Sequence, residues 1–197
     1  MKSNCSSKVA LVIVLSASLL ATGCSAQWIG IALADLPVLL QMALNLGTVV
    51  TTLQSGKQLS PAEAAAIQSI SAESGKDLNL LQALYKEYKA NPNSTTMQKI
   101  QNAVADINQN LPALLQAAHI SDPALAARVT VAVNLILATV NSFAALIPQT
   151  TMPTARSAGQ KAAMPHAADL KKQWNQQVCA PTGKAGLDSA MGLCPLK

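Results

Sequence analysis

Met97, Ile100, Val104, Ile107, Leu111, Leu114 and Ala118 recur at steps of 3, 4, 3, 4, 3 and 4 residues. Only a helix with 3.6 residues per turn brings such a set to one side, and the resulting seam is the kind that packs inside a bundle. Composition points the same way. The chain is 50% hydrophobic, 3% aromatic and 12% charged, against about 25% charged in an average soluble domain. So few charges among so many apolar residues argue against a disordered chain. Ala, Leu, Gln and Asn in place of β-branched runs favour helices over sheets. A length of 197 residues suits one domain with appendages.

Three more segments read as helices. The first covers residues 28–54, with Asp35 and Pro37 marking a start or an early kink and Gly56 standing past the end as a stop. Gln41, Asn45, Thr48 and Thr52 form one narrow polar stripe on it, and apolar residues fill most of the remaining circumference. Such a helix is buried among several others or lies in lipid. The second opens on Ser60-Pro61-Ala62-Glu63, a capping box with proline at the first helical position, and continues to Ala90. Ile67, Ile70, Leu81, Leu84 and Tyr88 share one side of it, and Ser74-Gly75 is where a kink is expected. Asn93-Ser94-Thr95 has the form of a glycosylation sequon but reads as a turn and N-cap for the third helix, which Pro112 should kink. The fourth is capped at Ser121-Asp122-Pro123 and ends before Pro148. No charge occurs between Arg128 and Arg156, so this segment must be central or membranous. The expectation is an all-α, up-and-down four-helix bundle over residues 24–148 with a C-terminal disulfide-closed tail.

The first 23 residues read as a processing signal. Lys2 and Lys8 precede a twelve-residue apolar run at 10–21, too short to span a bilayer comfortably and of signal-peptide length. The run ends in Leu20-Ala21-Thr22-Gly23-Cys24, which resembles the lipobox of bacterial lipoproteins, with Ala21 where that family more often has Leu. The resemblance covers residues 1–25 and says nothing about the mature domain. It implies a lipid on Cys24, and Ser25 after the Cys implies delivery to the outer membrane, facing the periplasm. The other reading of the same residues is ordinary cleavage after Ala26.

Cysteine usage fits export. Cys5 leaves with the signal, Cys24 takes lipid, and Cys179 and Cys194 remain as one disulfide pair. The residues after Pro148 divide into a Thr-, Pro- and Gly-containing linker to Pro165, a short amphipathic helix over 166–178 and the disulfide loop. Pro181, Gly183 and Gly186 read as turn formers in that loop. Residues 28–148 carry six basic and seven acidic side chains, whereas residues 149–197 carry six basic and two acidic. The formal charge of +5 therefore resides in the signal and the tail.

Catalytic patterns are missing from the sequence. His119 is expected in the last turn of the third helix as a dipole-compatible cap, and His166 has no obvious partner. No Gly-x-Ser-x-Gly or HExxH arrangement occurs, and two Cys with two distant His do not make a structural zinc set. Thr182-Gly183-Lys184-Ala185 lacks the earlier glycine and the following Ser/Thr of a phosphate loop. The expectation is a lipid-anchored, non-enzymatic cell-envelope protein that binds or scaffolds, without cofactor or metal. Its partners would be the membrane through Cys24, and an envelope protein, anionic lipid or glycan; nucleic acid is not expected. Lys171, Lys172 and Trp174 on the tail helix are a candidate surface contact, the alternative being a solvated helix face packed on the bundle through Leu170 and Trp174. Two other functions compete: a membrane-embedded protein with spans near 36–54 and 129–147, and a carrier of a small apolar ligand.

Overall fold

The computed structural model describes residues 27–147 and 166–197. The signal segment with Cys24 and the 149–165 linker lie outside the described residues. Four long helices follow one another: α1 Gln27–Ser55, α2 Pro61–Ala90, α3 Ser94–Ala117 and α4 Pro123–Leu146. Two short ones, α5 Ala167–Gln177 and α6 Ala185–Met191, complete the described residues, which contain no strand. Each long helix packs on the next, and α4 closes on α1, so the four form a ring around one core. The connections are short and the neighbours antiparallel: Trp28 at the start of α1 meets Tyr85 near the end of α2, while Ala43 farther along meets Ser71 farther back. The bundle expected from the sequence is what the chain forms.

Local chemistry explains the helix boundaries. At α2, Ser60 Oγ accepts the Glu63 N–H and the Glu63 carboxylate accepts the Ser60 N–H, the reciprocal capping box. Asn93 Oδ1 accepts the Thr96 N–H at 2.8 Å to cap α3, and Asp122 accepts from Ala124 and Leu125 to cap α4. The end of α1 is a Schellman turn, with the Gln58 N–H bonded to the Leu53 carbonyl and the Lys57 N–H to that of Gln54. The left-handed residue in it is Lys57 at φ 56°, one position past the Gly56 expected as the stop.

The helices continue through the positions where kinks are expected. Pro37 lies inside α1 on the exposed side, where the backbone carbonyl it leaves unbonded can reach water. Pro112 lies inside α3. Ser74, fully buried, donates to the Ile70 carbonyl at 2.7 Å, so its hydroxyl is satisfied within its own helix and α2 continues through Gly75. His119 is corrected: α3 ends at Ala117 with Ala118 as its cap, and His119 is exposed beyond it.

The core is the predicted seam and more. Met97, Ile100, Val104, Ile107 and Leu111 are buried, while Leu114 and Ala118 at the frayed end are half-buried. In α2, Ile67, Ile70, Leu81 and Leu84 are buried as expected, but the aromatic that enters the core is Tyr85, not Tyr88. Tyr85 stands edge-on to Trp28 and to Phe143, with ring centroids 5.5 and 6.4 Å away. Trp28 is also 6.5 Å from Tyr88, so four of the five aromatics gather at one end of the bundle. The Trp28 Nε1 and Tyr85 hydroxyl have no hydrogen-bond partner there, and burial raises the Tyr85 pKa. Between α3 and α4, the Asn108 and Asn141 side-chain amides bond each other reciprocally at 2.8 and 3.0 Å.

Helices α1 and α2 approach most closely where small residues meet. Ser71 Oγ donates to the Ala43 carbonyl at 2.6 Å, and a Cβ placed on Gly47 would lie 2.9 Å from that Oγ. Gly47→Val should therefore cost about 1–3 kcal/mol by overpacking. Lys57→Gly should instead add about 1 kcal/mol by removing the left-handed penalty. Urea unfolding of the two variants checks the opposite signs.

A second link joins the capped end of α2 to the α3–α4 connection. Glu63 Oε1 accepts the N–H and hydroxyl of Ser121 at 2.8 and 2.5 Å while Oε2 serves Ser60, and these bonds lower the Glu63 pKa from 4.5 to about 2. A carboxylate with a lowered folded pKa contributes stability above pH 4.5 that is lost as pH falls toward 2. Asp122 and Asp188 are also shifted down and act with the same sign. Glu63→Gln should leave them in place, lower Tm near neutral pH and flatten its fall between pH 4.5 and 2. Thermal melts of both proteins across that range measure the difference.

Candidate functional site: the C-terminal clasp

The tail helix predicted over 166–178 is α5, and it lies against both α1 and α4. Leu170 and Trp174, one turn apart, supply its buried edge, with Leu170 1% and Trp174 0% exposed. The Trp174 Nε1 donates to the Cys194 carbonyl at 3.0 Å, and the Asn45 amide of α1 donates to the same oxygen at 2.8 Å. Gln41 supports Asn45 by donating to its Oδ1 at 3.0 Å. Asn45, part of the polar stripe read from the sequence, is thus only 9% exposed and holds the tail. The exposed line of α1 instead runs through Pro37, Gln41, Leu44, Thr48 and Thr51.

Cys179 and Cys194 are bonded, with Cα atoms 5.6 Å apart. In the chain-entropy model a loop of this size contributes roughly 3 kcal/mol. Inside the loop lies α6, which the sequence reading took for turns. Its signal was present: Leu187, Ala190, Met191 and Cys194 fall at steps of 3, 1 and 3, and all four are buried. The turn before it is organised by Asp188, whose carboxylate accepts from the Thr182 N–H and hydroxyl and from the Gly183 N–H, with Gly183 at φ 83°. Those bonds lower the Asp188 pKa.

The last four residues run along α5. Asn175 exchanges two bonds with the Leu196 backbone at 3.0 and 2.8 Å, and the Lys171 ammonium donates to the Lys197 carbonyl at 2.6 Å. At the other end Lys184 pairs with Asp122, the α4 cap, at 2.6 Å, and the Arg128 guanidinium donates to the Gln177 carbonyl. The structure therefore gives the three tail residues proposed as a surface contact three different roles. Trp174 is inside, Lys171 closes the C-terminal segment and Lys172 is exposed.

An open groove of about 470 Å³ borders the clasp. Pro37, Val38, Leu193 and Leu196 supply its apolar walls, while Gln41 and Lys171 are among its polar groups. Leu193 is 62% exposed. Farther up α1, Asp35 is 2% exposed, and its Oδ2 has no hydrogen-bond partner. Desolvation raises its pKa, opposed by the Ala167 N–H at the start of α5 and by His166. His166, partnerless in the sequence, thus lies within electrostatic reach of Asp35, though no side-chain hydrogen bond caps α5 there. Among the described residues no three His, Cys, Asp or Glu side chains form a potential metal cluster. The arrangement is one for holding backbone in place.

No family model, curated protein or solved structure matches the chain.

Replacing Asn45 with Ala removes one of the two donors to the buried Cys194 carbonyl. The tail should loosen by about 1–3 kcal/mol, the penalty of an under-satisfied buried group. Hydrogen exchange should speed up in residues 167–197 while the amides of α2 and α3 keep their protection. Uniform acceleration across the chain would show instead that clasp and bundle open as one unit.

Proposed function

We propose that the protein is a lipid-anchored component of the bacterial cell envelope, held to the membrane through Cys24 and acting without catalysis as a binding or scaffolding module. The observation that carries this is the Leu20-Ala21-Thr22-Gly23-Cys24 sequence behind a charged and then apolar leader. The disulfide supports it, since such bonds persist in oxidising compartments and Cys179–Cys194 uses the two cysteines left after processing. The architecture supports the binding role. Glu63, Asp122 and Asp188 serve as a cap, an interhelical tie and a tail fastener. The groove beside the clasp offers apolar walls with a few polar groups, the composition suited to an amphipathic partner.

The membrane-embedded reading draws on one observation. Residues 28–55 and α4 have mean hydropathies of 1.7 and 1.9 in their most apolar stretches. Packing within the bundle accounts for 50% and 44% of those stretches being buried, and the charged tail helix α5 rests against both. The buried half of each stretch faces the core of the ring.

Metabolic labelling with a fatty acid should mark the wild-type protein, and Cys24→Ser should abolish the label. Retention of the label would overturn the anchor. A chain starting after Cys24 should purify without detergent as a helical monomer. Recovery only as aggregate would favour the membrane-embedded reading.

A further inference from the structure

The distance between the proposed anchor and the folded chain is short. Only Ser25 and Ala26 separate Cys24 from Gln27, where α1 begins. Three residue steps reach about 10 Å at full extension. A lipid on Cys24 would therefore hold one particular end of the bundle against the headgroups: the start of α1, the end of α2 and the start of α3. The opposite end lies the length of α3 away, about 36 Å for 24 residues.

That near end differs from the far one. Trp28 and Tyr88 lie 6.5 Å apart there, tilted by 40°, in the aromatic cluster. Lys86, Lys89 and Lys99 are exposed around it, and the one acid beside them, Glu87, is already engaged by the Thr96 hydroxyl at 2.6 Å and lies 4.0 Å from Lys99. The last turns of α4 add no charge. An open groove of about 370 Å³ lies between Tyr88, Pro92 and Met97 on this end. At the far end Lys57, Glu63, Asp122 and Lys184 balance in sign, and Lys184 is paired to Asp122.

We propose that this end is the membrane-facing surface of the protein, docked on anionic lipid headgroups. Lys86, Lys89 and Lys99 meet the phosphates, and the half-buried Tyr88, backed by the buried Trp28, sits at headgroup level, where an amphipathic ring is favoured. The bundle then stands upright on the membrane, with the α1–α2 and α3–α4 connections farthest from it. This placement rests on the lipid-anchor reading above and adds the orientation and the lipid charge.

The test uses the full lipidated chain, its Cys24 adduct verified by mass, on vesicles of phosphatidylcholine with or without phosphatidylglycerol. An environment-sensitive fluorophore is attached through Asn91→Cys or, at the far end, His119→Cys, and quenched by a headgroup-bound quencher. On anionic vesicles the label at position 91 should be quenched several-fold more than that at 119. The difference should shrink on neutral vesicles and in the Lys86→Gln, Lys89→Gln, Lys99→Gln variant, whose circular dichroism should match wild type. Equal quenching of the two labels on lipidated protein overturns the orientation. A difference that persists on neutral vesicles and in the triple variant overturns the anionic contact. Absence of any lipid mass on Cys24 overturns the anchor itself, and the docking with it.

Discussion

Helix α1 carries a single charged residue, Asp35, in 29 positions, and that residue is itself buried. A helix so poor in charge has to be covered on several sides, and the molecule is arranged to do that. Helix α2 lies along it with the close Gly47–Ser71 approach, α4 closes the ring on another flank, and α5 and α6 pack on it from the tail. Burying large apolar side chains such as Leu36, Leu39, Met42 and Val50 is the dominant favourable term, at about 25 cal/mol per Å² of apolar surface removed from water. Four helices in a ring leave part of α1 uncovered, and the tail supplies what is missing.

The tail's attachment follows from that need. An apolar patch alone would hold α5 without fixing its register. The Cys194 carbonyl, shared by Asn45 from the bundle and Trp174 from α5, fixes it, because a buried carbonyl left without donors is costly. The disulfide adds covalent closure at the same residue. Packing, hydrogen bonding and cross-link thus converge at Cys194, and the Lys184–Asp122 pair, more exposed, adds at most a modest amount. Polar burial elsewhere is less well balanced. Asp77 on α2 is 8% exposed with an unbonded Oδ2, and desolvation, then Glu73, push its pKa up.

Much of this was legible in the residues. Capping boxes and N-caps at Ser60, Asn93 and Asp122 are local, so sequence spacing located them. The 3–4 seam of α3 and the buried edge Leu170–Trp174 were readable because helical periodicity brings those side chains together without tertiary help. The pairing of Cys179 with Cys194 was readable because they are the two cysteines outside the N-terminal segment expected to carry the signal and the lipid. Less legible was Tyr85, whose burial depends on where Trp28 and Phe143, far away in sequence, stand. Helix α6 is hidden in the sequence because Gly186 and the preceding Pro181 and Gly183 read as turns, although its apolar spacing is helical.

The residues by themselves determined that five segments are helical, where the capped ones start, and that the nearly charge-free helices lie in a bundle core or in lipid, since those are matters of hydrogen-bond partners and solvation within a few turns. They also contain the Leu20-Ala21-Thr22-Gly23-Cys24 run on which the proposed lipid anchor rests. Tertiary structure decided which polar residues face inward. Asn45 donates to the Cys194 carbonyl of the tail, and Trp174 takes the packed place that was one of its two readings. It also decided that the aromatic residues and the lysines of the α2–α3 corner share the end where α1 begins. The physical reason is the same in each case: whether a polar atom is better off in water or inside depends on whether a partner from a distant part of the chain arrives within hydrogen-bond reach, and only the packing of whole helices settles that.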